Sequence, residues 1–430
     1  MRILFLNELS DPRIGSSIRQ MYQHAECLRA RGHEAAVLSV TQDPARRGWT
    51  EIEGTPVFHA YSDYALRYRA WVSLDNPRVR ADVRSVLAEW KPDVVHSHLI
   101  HTHLGYASLT AARESGAGVV FTAHDVMTFC YQKLTCFHGG EAAGGLERDY
   151  PAHWSKCIPC QRLRYRPGRN ARIRAVLERD VDRFTVVSDE LGRAISANGI
   201  RVDRTVHNAI RERDRLPTPA EVDAFRAKHG LSGKRIVAIG GRLHEQKGVA
   251  QLLRMLAVLA PEFPDLRLLV MGRESIYRDG FEPMARELGV DGLVVPVGWL
   301  DGDELQAAYA ATDVFVTPSI CFDTFGMVNL EAMEHAKPVV ATTFGGSREV
   351  VEDGVSGAIE NPFDVPAYAE AIARLLRDPG LSNHMGEAGR ARLEAHFTIE
   401  RLTDDFLEEY RLAREAAGRR GLQPGAPGGR

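Results

Sequence analysis

Residues 236–249 read Ile-Val-Ala-Ile-Gly-Gly-Arg-Leu-His-Glu-Gln-Lys-Gly-Val, and this stretch decides the fold. The four apolar residues at 236–239 indicate a buried strand, which ends at two glycines before a helical pattern begins at about Val249. A strand that turns through glycines into a helix is the repeating unit of parallel sheets covered by helices. Glycines also let the backbone approach a ligand closely, and the first N–H groups of a helix attract anions.

Two cations lie in this turn, Arg242 and Lys247. Arg242 can hold phosphate oxygens with two parallel N–H groups, while Lys247 adds a compact point charge. Together they could neutralise a diphosphate without a metal ion. The alternative is an ordinary strand–turn–helix unit with two solvated cations, and the turn alone does not decide between the two.

A second stretch, residues 314–335, repeats the pattern of strand, loop and helix. Gly326 and Met327 would offer backbone N–H groups at the start of that helix, as a second anion site. Asp323 precedes the helix and Glu331 lies within it, so two carboxylates converge near one pocket. Carboxylates suit the hydroxyls of a sugar or a ribose, because each oxygen accepts hydrogen bonds.

Short β-branched runs alternate with helical patterns along the whole chain, which predicts parallel sheets covered by helices. A polar segment at 211–218, with Pro217 and Pro219 at its end, is the predicted linker. The fold class is therefore α/β, with two Rossmann-like doubly wound domains that face a central cleft, where such domains bind ligands outside the carboxyl ends of their strands. The predicted strands are residues 3–6, 35–38, 94–96, 119–121 and 185–187 in the first half, and 236–239, 268–271, 294–295, 314–316 and 339–341 in the second.

The predicted domains are residues 1–210 and 211–395, followed by a helix at 396–416 that packs back on the first domain and a disordered tail at 417–430. The formal net charge of −3 gives no reason to expect nucleic acid as a partner. No apolar run approaches the roughly 20 residues that cross a bilayer. We therefore expect a cytoplasmic protein.

The first domain is more basic than this total suggests. A stretch at 162–174 carries six arginines and no acid, and a second arginine group at 67–84 is interleaved with aromatic residues. These arginines suit an anionic acceptor or the anionic inner face of a membrane, where each cation contributes about 1 kcal/mol. A solvated helix face is the alternative. The residues are Arg162, Arg164, Arg166, Arg169, Arg172 and Arg174, with Arg67, Arg69, Arg78, Arg80 and Arg84.

Four cysteines crowd into an insertion at about 128–165, namely Cys130, Cys136, Cys157 and Cys160. A C-x2-C pair with two further cysteines suits a tetrahedral structural zinc. Reduced thiols in a lid loop are the equally weighted alternative. His96, His98, His101 and His103 also invite a metal interpretation, but no nearby carboxylate or cysteine completes that site in the sequence.

The combination of G-G-R-L-x-x-x-K-G at 240–248 with P-S-x-x-x-D-x-F-G-M-V-x-L-E-A-M at 318–333 resembles the retaining glycosyltransferase family 4, which has the GT-B fold. Further matches are K-P-V-V-A at 337–341, F-G-G at 344–346 and G-V-S-G at 354–357. The resemblance covers nearly the whole chain. It implies transfer of a sugar from a nucleoside diphosphate, UDP before GDP, to the hydroxyl of a glycan, a lipid carrier or a small metabolite, with retention and without a catalytic metal.

The resemblance also implies roles for individual residues. Arg242 and Lys247 would hold the diphosphate, Glu331 the ribose, and Asp323 and His124 would face the donor sugar. The implied catalytic residues are His124, Arg242, Lys247 and Asp323, and the implied donor-binding residues are Gly15, Gly241, Arg242, Lys247, Phe325, Gly326, Met327 and Glu331.

Three places depart from the family pattern, and one is Gly272-Arg273-Glu274, where small residues and a further glycine are usual. Asp323 stands where glutamate is usual, and Ser16 follows Gly15 where a second glycine is usual. Two alternatives to transfer stay open. One is a nucleotide-sugar epimerase, which shares the two-domain architecture, and the other is a catalytically weak protein that binds nucleotide-sugars, which Asp323 favours.

Overall fold

The computed structural model describes residues 1–213 and 215–421. The chain divides into two compact units. The first comprises Met1–Lys133, Tyr150–Asn208 and the segment that begins at Ile399, and the second comprises Leu134–Asp149 and Ala209–Thr398. The chain therefore passes from one unit to the other four times.

The first unit is built on an eight-stranded sheet in the order β3-β4-β2-β1-β5-β6-β7-β8. All neighbouring strands are parallel except β3 and β4, which form an antiparallel hairpin. The strands are β1 Arg2–Leu6, β2 Glu34–Thr41, β3 Gly48–Ile52, β4 Thr55–Tyr61, β5 Val94–Ser97, β6 Gly118–Ala123, β7 Arg183–Val186 and β8 Arg204–Thr205. The helices are α1 Ser16–Ala30, α2 Arg69–Val72, α3 Pro77–Trp90, α4 Ala107–Glu114, α5 Trp154–Gln161, α6 Arg169–Asp180 and α7 Asp189–Ser196, and α17 Ile399–Gly421 completes this unit.

The second unit contains a six-stranded parallel sheet in the order β11-β10-β9-β12-β13-β14. Its strands are β9 Arg235–Gly240, β10 Leu266–Met271, β11 Val294–Gly298, β12 Val314–Thr317, β13 Val339–Thr342 and β14 Gly357–Glu360. Its helices are α8 Pro219–Lys228, α9 Val249–Leu259, α10 Glu274–Gly280, α11 Glu282–Glu287, α12 Gly302–Ala311, α13 Met327–Glu334, α14 Ser347–Val350, α15 Val365–Arg377 and α16 Pro379–His396. The predicted α/β class with two Rossmann-like sheets is confirmed.

Burial explains why the apolar runs became central strands. Ile236–Ile239 within β9 are at most 2% exposed, and the four residues of β12 and of β13 are buried as well. A parallel sheet is covered on both faces by helices, so its strands are apolar without alternation. α8 begins where a capping box forms, because Thr218 and Glu221 satisfy each other's backbone N–H groups.

The C-terminal helix ends later than the sequence predicts. The C-terminal helix begins at Ile399 and continues to Gly421, whereas the sequence placed its end at residue 416. The remainder of the predicted disordered tail, residues 422–430, lies outside the described residues. Asp214, within the predicted linker, also lies outside them.

Candidate functional site

The first loop of the candidate site connects β9 to α9. Gly241 adopts a φ of +104°, which favours glycine, and its N–H donates to the carbonyl of Met271 at the end of the neighbouring strand. Arg242 follows at once and is exposed. Within residues 1–213 and 215–421, the structure gives Arg242 no ion pair, so its guanidinium is available to an anion.

Gly248 brings this loop against the loop after β12. Its φ is +72°, and a Cβ there would lie 1.8 Å from the carbonyl oxygen of Pro318. Only glycine permits this approach. Two backbone hydrogen bonds continue the contact, because the N–H groups of Ile320 and Cys321 both donate to the carbonyl of Gln246. The two loops follow adjacent strands and therefore form one site.

Lys247 and Asp323 form an ion pair in this site. The distance between Lys247 Nζ and Asp323 Oδ2 is 2.8 Å, and Ser319 Oγ donates to the same carboxylate oxygen at 3.0 Å. Burial lowers the pKa of Lys247, but the facing Asp323 carboxylate more than offsets this, so its pKa is raised. Lys247 is therefore a full positive charge at neutral pH.

The backbone of Asp323 is held on its other side by the loop after β13. The N–H of Gly346 donates to the Asp323 carbonyl at 2.7 Å, and a bridge pairs Asp323 with Gly345. Gly345 has a φ of +78°, and a Cβ there would lie 2.0 Å from the Asp323 carbonyl oxygen. The F-G-G motif in the sequence thus places the Asp323 carboxylate against Lys247.

The helix α13 begins next to this ion pair. Gly326 is its N-cap with a φ of +82°, Phe325 before it is buried, and Met327 is its first residue. The first N–H groups of a helix have no partner within it, so they can bind an anion. One turn along, Glu331 Oε2 accepts a hydrogen bond of 2.7 Å from Tyr309. Sequence reasoning missed Tyr309, because α12 gives no local signal that its hydroxyl reaches α13.

In the first unit, Gly15 is the N-cap of α1, with extended backbone at φ −173°. A Cβ at this position would meet only Ile18 Cδ1, at 4.0 Å. Neither the backbone conformation nor close packing therefore requires glycine at Gly15, unlike Gly248 or Gly345.

His124 follows β6 and shares a hydrogen bond with a second buried histidine. His98 Nδ1 and His124 Nε2 are 2.8 Å apart. Burial lowers the pKa of His124 to about 4, and it lowers that of His98 well below its usual range. Both rings are neutral at pH 7, so one donates the shared hydrogen and the other accepts it.

A buried carboxylate, Glu8, holds the loop after β5 and was missed in the sequence. Glu8 Oε1 accepts hydrogen bonds from the backbone N–H groups of Thr102, His103 and Leu104. Burial raises the pKa of Glu8, although His101 and the three N–H groups oppose the shift. The position of Glu8 directly after the first strand was a signal of its location, but nothing in the sequence indicated its partners.

The predicted zinc site at Cys130, Cys136, Cys157 and Cys160 is not assembled. The described residues contain no group of three or more histidines, cysteines or carboxylates that could hold a metal ion. Cys157 and Cys160 are in α5, and Cys136 belongs to the segment Leu134–Asp149. The zinc assignment to the four cysteines therefore has no support in the described residues.

The arginine stretch divides into buried and exposed members. Arg169 is only 2% exposed and donates to the carbonyl of Met127, so it is structural. Arg162 and Arg164 lie in an exposed 3-10 turn on either side of Leu163, which is 99% exposed. No helix in the described part of the chain is long and apolar enough to cross a membrane.

Comparisons with known proteins bear on this geometry. The family model "Glycosyl transferases group 1" matches residues 221–392, and "Glycosyl transferase 4-like domain" matches residues 16–209. The chain is 26% identical to the glycogen synthase of Mycobacterium tuberculosis, over 99% of this chain and 98% of that protein. It is 35% identical to the GDP-mannose-dependent alpha-(1-6)-phosphatidylinositol monomannoside mannosyltransferase of Mycolicibacterium smegmatis, over 40% of this chain and only 47% of that protein.

Among solved structures, Anabaena HepE in complex with UDP superposes with a TM-score of 0.71 at 20% identity, over 96% of this chain and 100% of that one. This likeness shows the fold. The two family models together span most of both units, and their order along the chain matches the two sheets. The chain therefore belongs to the group 1 glycosyltransferases, of the family 4 type and the GT-B fold.

Proposed function

We propose that this glycosyltransferase moves a hexose from a UDP-sugar to an acceptor hydroxyl with retention of the anomeric configuration. The observation that carries the proposal is the Lys247–Asp323 pair, at 2.8 Å, beside the exposed Arg242 loop. One site thus offers cations for a diphosphate and a carboxylate for sugar hydroxyls. Glu331 would bind the ribose, and the backbone of Gly241, Gly326 and Met327 would line the donor.

The cations would act on the leaving group. Cleavage of the glycosyl–phosphate bond develops negative charge on the departing diphosphate, which pre-organised donors stabilise. Lys247 has three N–H donors, and the described contacts to Asp323 and Ser319 engage two of them. The third can meet a phosphate oxygen, while Arg242 and the first N–H groups of α13 supply the rest.

In the first unit we assign His124 to the donor sugar and Gly15 to the donor phosphate. His124 is neutral at pH 7 because its pKa is about 4, so it can hydrogen-bond a donor hydroxyl but cannot act as a charged acid. The acceptor hydroxyl would lose its proton to the leaving diphosphate on the same face of the sugar. The new glycosidic bond then forms on the face from which the phosphate leaves, which accounts for retention.

UDP is preferred over GDP as the donor nucleotide. The similar Anabaena protein was solved with UDP, whereas a mannosyltransferase similar to part of the chain uses GDP-mannose. A thermal-shift panel of UDP-glucose, UDP-galactose, UDP-N-acetylglucosamine and GDP-mannose tests this, because a ligand at a hundred times its Kd stabilises by about 2.7 kcal/mol. Stabilisation by the GDP-sugar alone would overturn the UDP assignment, and an inverted product anomer by NMR would overturn retention.

Asp323 in place of the usual glutamate favours a second candidate function, a weak nucleotide-sugar binder, and an epimerase of the same architecture is a third. Incubation of the protein with a bound nucleotide-sugar and no acceptor distinguishes these functions. Conversion to a second nucleotide-sugar indicates an epimerase. Binding without turnover, even with acceptors from cell extract, indicates a binding protein.

We also propose that the first unit contacts an anionic membrane surface. Residues 151–177 contain six cations besides the buried Arg169 and no acid, and residues 64–74 add two more cations and no acid. The two segments are in contact, since the Arg166 guanidinium lies over the Trp71 ring and donates to its carbonyl. Large apolar side chains are exposed on the same segments: Leu66, Tyr68, Trp71, Trp154, Ile158 and Leu163. Exposed apolar groups among cations suit the interface of an anionic bilayer.

Vesicle sedimentation tests the membrane proposal. Wild type should bind vesicles that contain phosphatidylglycerol and not neutral ones, and the double variant Arg162→Ala/Leu163→Ala should bind several-fold more weakly. Val258→Ala changes an exposed apolar residue of the other unit and serves as the control. Equal binding by wild type and the double variant would contradict the proposal.

A further inference from the structure

The segment Leu134–Asp149, here called the strap, lies in sequence between two segments of the first unit but belongs to the second unit. We propose that the strap positions the loop that presents Asp323 to the donor sugar, with His138 as its main positioning residue. The inference rests on the proposed function, because it assigns a specificity role to the same site.

Two hydrogen bonds join the strap to the loop after β12. His138 Nε2 donates to the carbonyl of Ile320 at 2.7 Å, and the N–H of Phe322 donates to the carbonyl of Leu134 at 3.3 Å. These bonds hold the backbone on both sides of Cys321, immediately before Asp323. A shift of this backbone would move the Asp323 carboxylate directly.

The tautomer of His138 is fixed by a second contact. The N–H of Gly140 donates to His138 Nδ1 at 2.9 Å, so Nδ1 carries no proton and Nε2 carries one. The ring is only 6% exposed. A buried donor of fixed direction is suited to holding a carbonyl in one place.

Aromatic packing supports the same loop. Phe137 meets the ring of Phe322 edge-to-face, with centroids 5.7 Å apart, and meets Phe344 in the same way at 5.4 Å. The His138 ring stacks on Phe344 at 5.1 Å. Phe344 belongs to the F-G-G motif that also holds the Asp323 carbonyl. The strap therefore contacts both segments that fix Asp323, the loop before it and the F-G-G motif.

The far end of the strap is anchored independently. Glu141 pairs with Arg254 at 2.8 Å, and Asn361 Nδ2 donates to the carbonyl of Gly144. Gly145 has a φ of +64°, and a Cβ there would lie 2.7 Å from the Phe363 ring. The strap is therefore seated along its length, with the loop contacts at one end and these anchors at the other.

The strap contacts the sugar side of the site, and none of the contacts above involves Arg242 or Glu331. Loss of the strap contact should therefore weaken binding of a nucleotide-sugar more than binding of the bare nucleotide, which Asp323 affects only through its ion pair with Lys247. General unfolding would weaken both. We therefore compare the affinity for the nucleotide-sugar with that for the nucleotide, because a purely structural role of the strap would leave the ratio of the two unchanged.

The experiment uses the full chain and calorimetric titration with UDP-glucose and UDP, and with GDP-mannose and GDP in parallel. His138→Phe keeps the aromatic packing and removes the hydrogen bond to Ile320. We expect it to weaken nucleotide-sugar binding about fivefold to tenfold, the scale of one hydrogen bond, and to change nucleotide binding by less than twofold. His138→Gln retains an N–H donor and should recover most of the affinity.

Leu146→Ala is the matched control, because Leu146 lies in the strap but is 78% exposed. It should match wild type for both ligands. If His138→Phe leaves the ratio of the two affinities unchanged, the strap inference is wrong. A wild-type protein that binds none of the four ligands contradicts the proposed function instead, so the two failures are distinguishable.

Discussion

The two Rossmann-like units hold the loops at the carboxyl ends of their strands by different means. In the second unit, glycines allow backbone to meet backbone, as Gly248 does at Pro318 and Gly345 at Asp323. In the first unit, Gly15 has open space around it, and the buried Glu8 carboxylate accepts hydrogen bonds from the residues after β5. Gly105 adds a backbone approach to that loop, but a looser one, since a Cβ there would lie 3.1 Å from the Ser73 carbonyl oxygen. A loop fixed by backbone contact tolerates no added side chain, whereas a loop fixed by buried polar groups is sensitive to their protonation.

The largest effect should come from the charge that the second unit places at its site. Lys247→Ala should lower kcat/KM for transfer by about 100- to 1,000-fold, the usual cost of one donor to a developing oxyanion. Steady-state kinetics with the donor found in the ligand panel measure this. Lys247→Arg keeps the charge and should lose less. A loss below threefold for Lys247→Ala would show that Lys247 does not serve the leaving group.

A matched glycine pair tests the backbone side of the comparison. Gly345→Ala should destabilise the protein by about 3 kcal/mol or more, because the new Cβ would overlap the Asp323 carbonyl and the φ is +78°. Gly15→Ala should change the unfolding free energy by about 0.5 kcal/mol or less. Denaturant titration gives both values, and equal effects would remove the distinction between the units.

The polar side of the comparison predicts acid sensitivity in the first unit. His24 stacks on Phe406 and Tyr410, and burial lowers its pKa to about 3. The unfolded chain therefore binds the proton first, and stability falls as pH drops below about 6.5 and continues to fall towards 3. His24→Phe removes this group, so between pH 7 and 4.5 it should lose about 2–3 kcal/mol less than wild type.

Unfolding curves at several pH values measure this difference. Other histidines keep part of the pH dependence in the variant, since burial lowers the pKa of His96, His98 and His124 in the first unit and that of His335 in the second. Parallel curves for wild type and His24→Phe would mean that the pKa of His24 is the same in the folded and unfolded states.

The smallest effect concerns a polar contact in the second unit. Tyr309→Phe removes the hydrogen bond to Glu331 but keeps the ring stacked on His335. The Kd for the nucleotide should rise about threefold to tenfold, since Glu331 loses the group that orients it. The kcat value should stay within twofold of wild type. A fall in kcat at unchanged Kd would place Tyr309 in the chemical step instead.

The same contrast explains what could be predicted from the sequence. Burial and backbone conformation leave local patterns in a sequence. These patterns were enough to predict the strand at 236–239, its glycine turn and the strand at 314–316. The ligand roles of Arg242, Lys247 and Glu331 came from motif spacing and stay predictions. Tyr309, Glu8 and His138 were not found, because each acts on a residue far along the chain or on a backbone atom that no pattern marks. The cysteine spacing suggested a metal, yet the described residues contain no group of three or more histidines, cysteines or carboxylates that could hold one.

The four passages of the chain between the units limit how such enzymes can exchange parts by recombination. A chimera joined near residue 209 would take the second unit from one parent, but residues 134–149 of that unit would come from the other. The helix α17 belongs to the first unit, yet in such a chimera it would come from the parent that supplies the second unit. A functional exchange of donor specificity would have to transfer the strap together with Ala209–Thr398, so we expect these two pieces to have changed together during divergence.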